Sequence, residues 1–258
     1  MTSFLEKFSL EGRTALVTGS SRGLGYAIAQ GLHLAGAQVL LCSSGETIYA
    51  AAEKMGADGG APVWAARGDI GDAAQAQAVF QQAMDRFGGR LDILVNCAGI
   101  QHRCPAEDFP PEQWDAVLNV NLTAAFRMSQ LAGRVMLAQG KGRIINVASM
   151  TSFFGSERIP AYAASKGGLA QLTKALSNEW TSRGINVNAI APGWMHTHMT
   201  DDLKGNNPAL FESVTRRIPQ HRWGEPEDLQ GLVVFLASDA SAYVSGAVIP
   251  IDGGYLAY

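Results

Sequence analysis

Clusters of basic residues are missing from this 258-residue sequence, in which 20 Lys and Arg are scattered among 23 Asp and Glu for a net charge of -3. Binding a phosphate backbone takes several cations on one surface, so no nucleic-acid partner is expected. Cysteine is scarce as well. Cys42, Cys97 and Cys104 are too few and too irregularly spaced for a disulfide framework or a zinc site. Free thiols suit a reducing compartment, which makes the cytoplasm the expected location. The first residues carry Glu6 and Lys7 before any apolar run, unlike a secretory leader. Charge is absent altogether between Arg22 and Glu46, a stretch long enough on its face to span a membrane. It contains Gln30, Gly31, His33, Gly36 and Gln38, however, and its pattern changes midway from helical to strand-like. That reads as a buried helix followed by a buried strand, with no membrane partner. No Pro/Ser-rich linker and no repeat of fixed period appear.

What is present is alternation. Short apolar runs at 14–17, 38–41, 62–65, 92–95, 143–147, 185–190 and 247–250 are separated by helical patterns near 23–35, 47–55, 72–87, 111–138 and 161–183. Continuously apolar strands are buried on both faces. Alternation with helices implies right-handed crossovers and a parallel sheet covered on both sides. The sequence therefore predicts one α/β domain, a doubly wound Rossmann-type parallel sheet of about seven strands. The polar stretch 195–221, with Asn206-Asn207-Pro208, breaks the rhythm and is expected to form a flap over a site.

The first strand runs into Thr18-Gly19-Ser20-Ser21-Arg22-Gly23-Leu24-Gly25. Glycines at 19, 23 and 25 allow a sharp turn and close approach of a pyrophosphate to the free N–H groups of the next helix. Ser21, Arg22 and Leu24 complete the turn. Asn96-Cys97-Ala98-Gly99 ends the fourth strand beside it, where the crevice of a doubly wound sheet opens. A carboxylate at the end of the second strand would hold an unphosphorylated adenosine ribose. That position reads Cys42-Ser43-Ser44 instead, and Arg22 is placed to pair with a 2′-phosphate. NADP(H) is expected over NAD(H), although Glu46 remains within reach of the ribose.

Tyr162 and Lys166 are one helical turn apart, on one face. A free phenol is a poor base at neutral pH; a neighbouring ammonium and a cationic nicotinamide ring would lower its pKa. Ser149, ending the fifth strand, can orient a substrate oxygen while Tyr162 exchanges the proton. Alone, a tyrosine and a lysine four apart are commonplace. With the glycine-rich turn, Asp69-Ile70, Asn96 to Gly99, Val120-Asn121-Leu122, Ser149 and Pro192-Gly193 with Thr197, the chain resembles the short-chain dehydrogenase/reductase family over nearly its whole length.

The resemblance implies further roles. Asp69 and Ile70 would flank the adenine, and Asn96, Ala98 and Gly99 would line a ribose. Asn121 would anchor a relay water beside Lys166, which would also bind the nicotinamide ribose. The segment Pro192, Gly193, Met195 and Thr197 would hold the nicotinamide. Cys97 departs from the family, which usually has Asn there. Members are usually homotetramers packed through long helices and C-terminal segments, here 111–138, 161–183 and 255–258.

A finer resemblance, carried by Gly99 to Arg103, Asn178-Glu179-Trp180, Ile218 to Gly224 and Asp252 to Tyr255, is to the branch acting on sugar acids such as gluconate, 5-ketogluconate and 2-dehydro-3-deoxygluconate. An anionic substrate needs local cations. Arg103 is the foremost candidate because a guanidinium suits a carboxylate, with His102, His196 and Arg158 behind it. His196 and His198 lack a third ligand at metal-site spacing, so no metal is expected. Ser149 lacks the G-x-S-x-G elbow of a hydrolase. A ketoreductase acting on another carbonyl, such as a 3-oxoacyl thioester, and a non-catalytic nucleotide-sensing protein are the competing readings.

Overall fold

A computed structural model describes residues 4–57, 59–197 and 207–257. Side chains in β1 (Thr14–Thr18) explain the architecture: all five residues are buried. Ala15 and Val17 pack to one side with Ile28, Leu32, Val39 and Leu41, whereas Leu16 packs to the other with Leu40, Leu94 and Ile144. Successive strand residues face opposite ways, so a run without polar interruption must be covered twice.

The other strands are β2 (Gln38–Ser43), β3 (Val63–Arg67), β4 (Ile93–Asn96), β5 (Gly142–Val147), β6 (Ile185–Pro192) and β7 (Val248–Ile251), in the sheet order β3-β2-β1-β4-β5-β6-β7. Every pairing is parallel. All seven expected strands are present. The order reverses at β1, which lies between β2 and β4, and such a switch point opens a crevice at the carboxyl ends of the strands.

Among the described residues the α-helices are α1 (Gly23–Leu34), α2 (Thr47–Gly56), α3 (Ala73–Arg86), α4 (Pro111–Leu118), α5 (Ala124–Gln139), α6 (Pro160–Trp180), α7 (Pro208–Arg217) and α8 (Gln230–Ala237). The charge-free stretch forms α1 and β2 as expected, and among the described residues no helix is long and apolar enough to cross a membrane.

Three features go beyond that reading. The continuous helix over 111–138 is interrupted by a π-helical turn at Asn119–Thr123. The polar stretch 195–221 is partly outside the described residues, but its second half is α7. Asn207 starts that helix by accepting from the Leu210 N–H at 3.1 Å, and Pro208 occupies its first turn, where a missing N–H costs nothing. Phe211, Val214 and Ile218 then pack with Trp223 and Tyr255. Finally, α8 packs closely on α1: a Cβ at Gly31 would lie 2.9 Å from Gln230.

Candidate active site

The glycine-rich turn is pinned from both sides. The Thr18 hydroxyl accepts from the Cys97 and Ala98 N–H groups at 3.1 and 3.2 Å, tying β1 to the end of β4. The Ser20 hydroxyl donates to Val17 O at 2.8 Å and accepts from the Cys42 N–H at 3.0 Å, tying the turn to β2. Gly19 has φ +68° and sits so close to the next strand that a Cβ would come within 2.6 Å of Ala98 Cα. A Cβ at Gly25 would collide with the Gly19 carbonyl. No side chain caps α1, so its first N–H groups are left for an anion.

These residues open onto a cleft of about 970 Å³ at the carboxyl edge of the sheet. Gly19, Ser21, Arg22, Gly23, Leu24 and Gly25 form one end, with Ser43, Ser44, Asp69 and Ile70 beside them. Ala98, Gly99, Pro192, Gly193, Met195 and Thr197 line its middle. A backbone turn that excludes Cβ atoms and leads into uncapped helical N–H groups fits the pyrophosphate of a dinucleotide. Glu46 is bound to Arg67 at 2.7 Å and does not line the cleft, which leaves Ser43, Ser44 and Arg22 at the adenosine end.

Asn96 is not on the wall. It stands in register with Asn146 across β4 and β5, and its side-chain amide donates to Asn146 Oδ1 at 2.9 Å and Ser129 Oγ at 3.0 Å. The side chain therefore points beneath the cleft, into the layer under α5 and α6, rather than toward a ribose.

At the other end β5 delivers Ser149 and the start of α6 delivers Tyr162 and Lys166, all three on the wall. The Lys166 amine donates to Val147 O at 2.7 Å and stands 5.6 Å from the centroid of the Tyr162 ring. Asn121 comes from the π-helical turn, whose extra residue redirects a side chain in the way π-bulges at functional sites do. It accepts from the Ile100 N–H at 2.8 Å and donates to Ile100 O at 3.0 Å and Ser165 Oγ at 3.1 Å. Asn121 thus clamps the backbone after Gly99 instead of lining the cleft.

The electrostatics depart from the sequence expectation. Burial pushes the Tyr162 phenol up; the Ser149 hydroxyl and, more weakly, the Arg103 charge pull it down. Lys166 is not among the groups that pull it down; burial lowers its own pKa to about 8, which leaves it largely an ammonium at neutral pH. Burial also raises the Cys97 thiol to about 11, so the departure from Asn adds a neutral group here. The sign follows. A raised phenol stays protonated at neutral pH, the form that protonates an alkoxide. The rate of alcohol oxidation should therefore climb from neutral into strongly alkaline pH, while ketone reduction falls only at the alkaline end. Initial rates in both directions across pH check this; an oxidation limb that levels near pH 8 would assign it to Lys166 instead.

Among the substrate candidates, Arg103 lines the cleft, whereas His102 and His196 do not. His102 packs edge-on against Phe109 at 5.3 Å. His196 stacks on Trp223 at 5.6 Å, with Nε2 4.0 Å from Glu225. His198 lies outside the described residues, among which no three His, Cys, Asp or Glu gather as metal ligands do. Arg158 is exposed and left-handed, with φ 64°. The sequence reading missed Thr151, Phe154, Trp194 and Tyr255 on the wall. Buried polar atoms without a partner occur on two of them, Thr151 Oγ1 and Trp194 Nε1.

A family model described as enoyl-(acyl carrier protein) reductase matches residues 19–256. The chain belongs to the short-chain dehydrogenase/reductase family. Within that family it is 46% identical over 256 residues to the 2-dehydro-3-deoxy-D-gluconate 5-dehydrogenase of Bacillus subtilis, covering 97% of each chain. It is 38% identical to the gluconate 5-dehydrogenase of Gluconobacter oxydans, covering 96% of each. Among solved short-chain dehydrogenase/reductase structures, a gluconate 5-dehydrogenase from Burkholderia cenocepacia in complex with NADP and tartrate superposes with a TM-score of 0.93 at 38% identity, covering 99% of this chain and 100% of that one.

Proposed function

We propose that the whole chain acts as one catalytic domain, an NADP(H)-dependent oxidoreductase interconverting a secondary alcohol and a ketone on a sugar acid such as gluconate/5-ketogluconate or 2-dehydro-3-deoxygluconate. One arrangement carries the reading. A single cleft has a glycine cradle with Arg22 at one end and Ser149, Tyr162, Lys166 and Arg103 at the other. Relatives across the full length are named for sugar acids, which supports the substrate class.

When bound, the nicotinamide nucleotide takes up or supplies the hydride. In oxidation Tyr162 removes the hydroxyl proton, and in reduction it returns one to the alkoxide. Ser149 orients the substrate oxygen. Lys166, fixed to Val147 O at 2.7 Å, sets the positive charge beside the phenol, and Asn121 holds the backbone at Ile100. Arg103 meets the carboxylate. The exposed aromatic rings of Trp114 and Phe126, on α4 and α5, support a homotetramer packed through these helices, and the three unpaired thiols support a cytoplasmic location.

The test follows cofactor absorbance with sugar acids, neutral polyols and acyl-thioester ketones, each offered NADP(H) and NAD(H). Sugar acids with the phosphorylated cofactor should give the highest kcat/KM. Preference for a thioester ketone would move the assignment to the acyl-carrier side of the family. No consumption with any carbonyl would leave a nucleotide-binding protein.

A further inference from the structure

The loop after β4 and the turn before α6 meet at one backbone bond, in which the Cys104 N–H donates to Arg158 O at 2.9 Å. That bond brings together two guanidinium-bearing positions far apart in sequence, Arg103 and Arg158. Arg103 lines the cleft at its Tyr162 end. Turned with its oxygen toward Arg103, the Gln101 carboxamide accepts from Nε at 2.9 Å and from a terminal nitrogen at 3.1 Å. One edge of the guanidinium is then occupied and oriented, and the other is left for a planar, two-oxygen acceptor.

Arg158 is held at φ 64°, a conformation that glycine or asparagine adopts readily and a longer side chain resists. Among the described residues neither arginine is in an ion pair. Burial first, and then the Arg158 charge, lowers the Arg103 pKa from its ordinary value. Arg158 is exposed just off the wall, between Ser156 and Ile159, which line it, so the two like charges stand at the rim of the cleft, and an anion held between them relieves their repulsion.

We propose that Arg158 is the second arm of a two-guanidinium clamp that, with Arg103, takes the carboxylate of the substrate and so determines specificity for acids over neutral polyols. Gln101 is a positioning residue for Arg103. The inference rests on the sugar-acid reading above and deepens it by naming the group that selects the acid. Recognition at this end leaves the reacting carbon to Ser149 and Tyr162, and no covalent step is involved.

The experiment compares D-gluconate with its neutral analogue D-gluconamide, each titrated calorimetrically into NADPH-loaded enzyme, a pairing in which no hydride can move. Wild type, Arg158→Gln, Arg158→Gly and Arg103→Gln are measured, with NADPH affinity followed by fluorescence. The glycine variant relaxes the left-handed backbone and so separates charge from strain. Wild type should prefer gluconate by about 10- to 100-fold, the range of a charge-assisted pair. Both Arg158 variants should lose most of that preference by weakening gluconate, with gluconamide and NADPH affinities unchanged. Undiminished preference in the Arg158 variants, or equal weakening of acid and amide, overturns the clamp alone. Wild-type protein that binds no sugar acid yet oxidises NADPH with another ketone overturns the sugar-acid reading and the clamp with it.

Discussion

Tyr162→Phe should lower kcat in both directions by about 100- to 10,000-fold, the usual contribution of a positioned proton-transfer group, while NADPH binding stays within about twofold of wild type. The argument is one of a single atom. Phenylalanine keeps the ring that packs beside Lys166, and the Lys166 amine remains anchored on the Val147 carbonyl at 2.7 Å, so the wall keeps its shape. Only the hydroxyl that exchanges the proton is gone. The hydroxyl also hydrogen-bonds Ser149, so deleting it strips one partner from that bond and the variant should melt slightly below wild type. Steady-state rates, fluorescence titration with NADPH and a thermal melt examine the three parts separately. Turnover near the wild-type level would show that another group moves the proton.

The second large effect is expected at Gly19→Ala. The position requires φ +68°, which costs a residue with a Cβ about 1–2 kcal/mol. The added carbon would also stand 2.6 and 2.8 Å from the Ala98 Cα and N, and backbone atoms cannot swing aside as a side-chain tip can. Relief requires the turn to part from the end of β4, which removes the cradle. NADPH affinity should fall by at least about 30-fold, more than strain of that size alone produces. Gly23→Ala is the control: its φ is +58° but nothing lies within 4 Å of the added carbon, so strain acts there without collision. Similar affinities in the two variants would mean that the close approach at Ala98 has no bearing on the cofactor.

Elements with a local cause were legible in the sequence. A strand buried on both faces must be apolar at consecutive positions, and the seven runs picked out on that ground are strands. The glycine-rich turn and the Tyr162–Lys166 pair were equally readable, because backbone freedom and one helical turn are short-range properties. What stayed hidden depends on residues distant in sequence. The helix α8 carries an unbroken run from Leu232 to Ala237 with no polar face to betray its period. The stacking of His196 on Trp223 and the downward turn of Asn96 were set by partners on other elements. The pKa order of Tyr162 and Lys166 was hidden for the same reason: spacing suggests an ammonium acidifying a phenol, but burial acts on both groups and against both charges.

The interruption at Asn119–Thr123 has a consequence for the whole segment from Pro111 to Gln139. A wide turn adds one residue, and each residue in a helix advances the side-chain direction by about 100°. The rods before and after it are therefore out of phase. Ala116, Asn119 and Val120 look into the cleft, whereas Ala124, Met128, Leu131, Ala132 and Met136 seal the core beneath the sheet. A single uninterrupted rod would have to offer one stripe to both neighbours. The extra residue lets the same length of chain serve a wet surface with its first half and a dry one with its second, and it is the joint between them that carries Asn121.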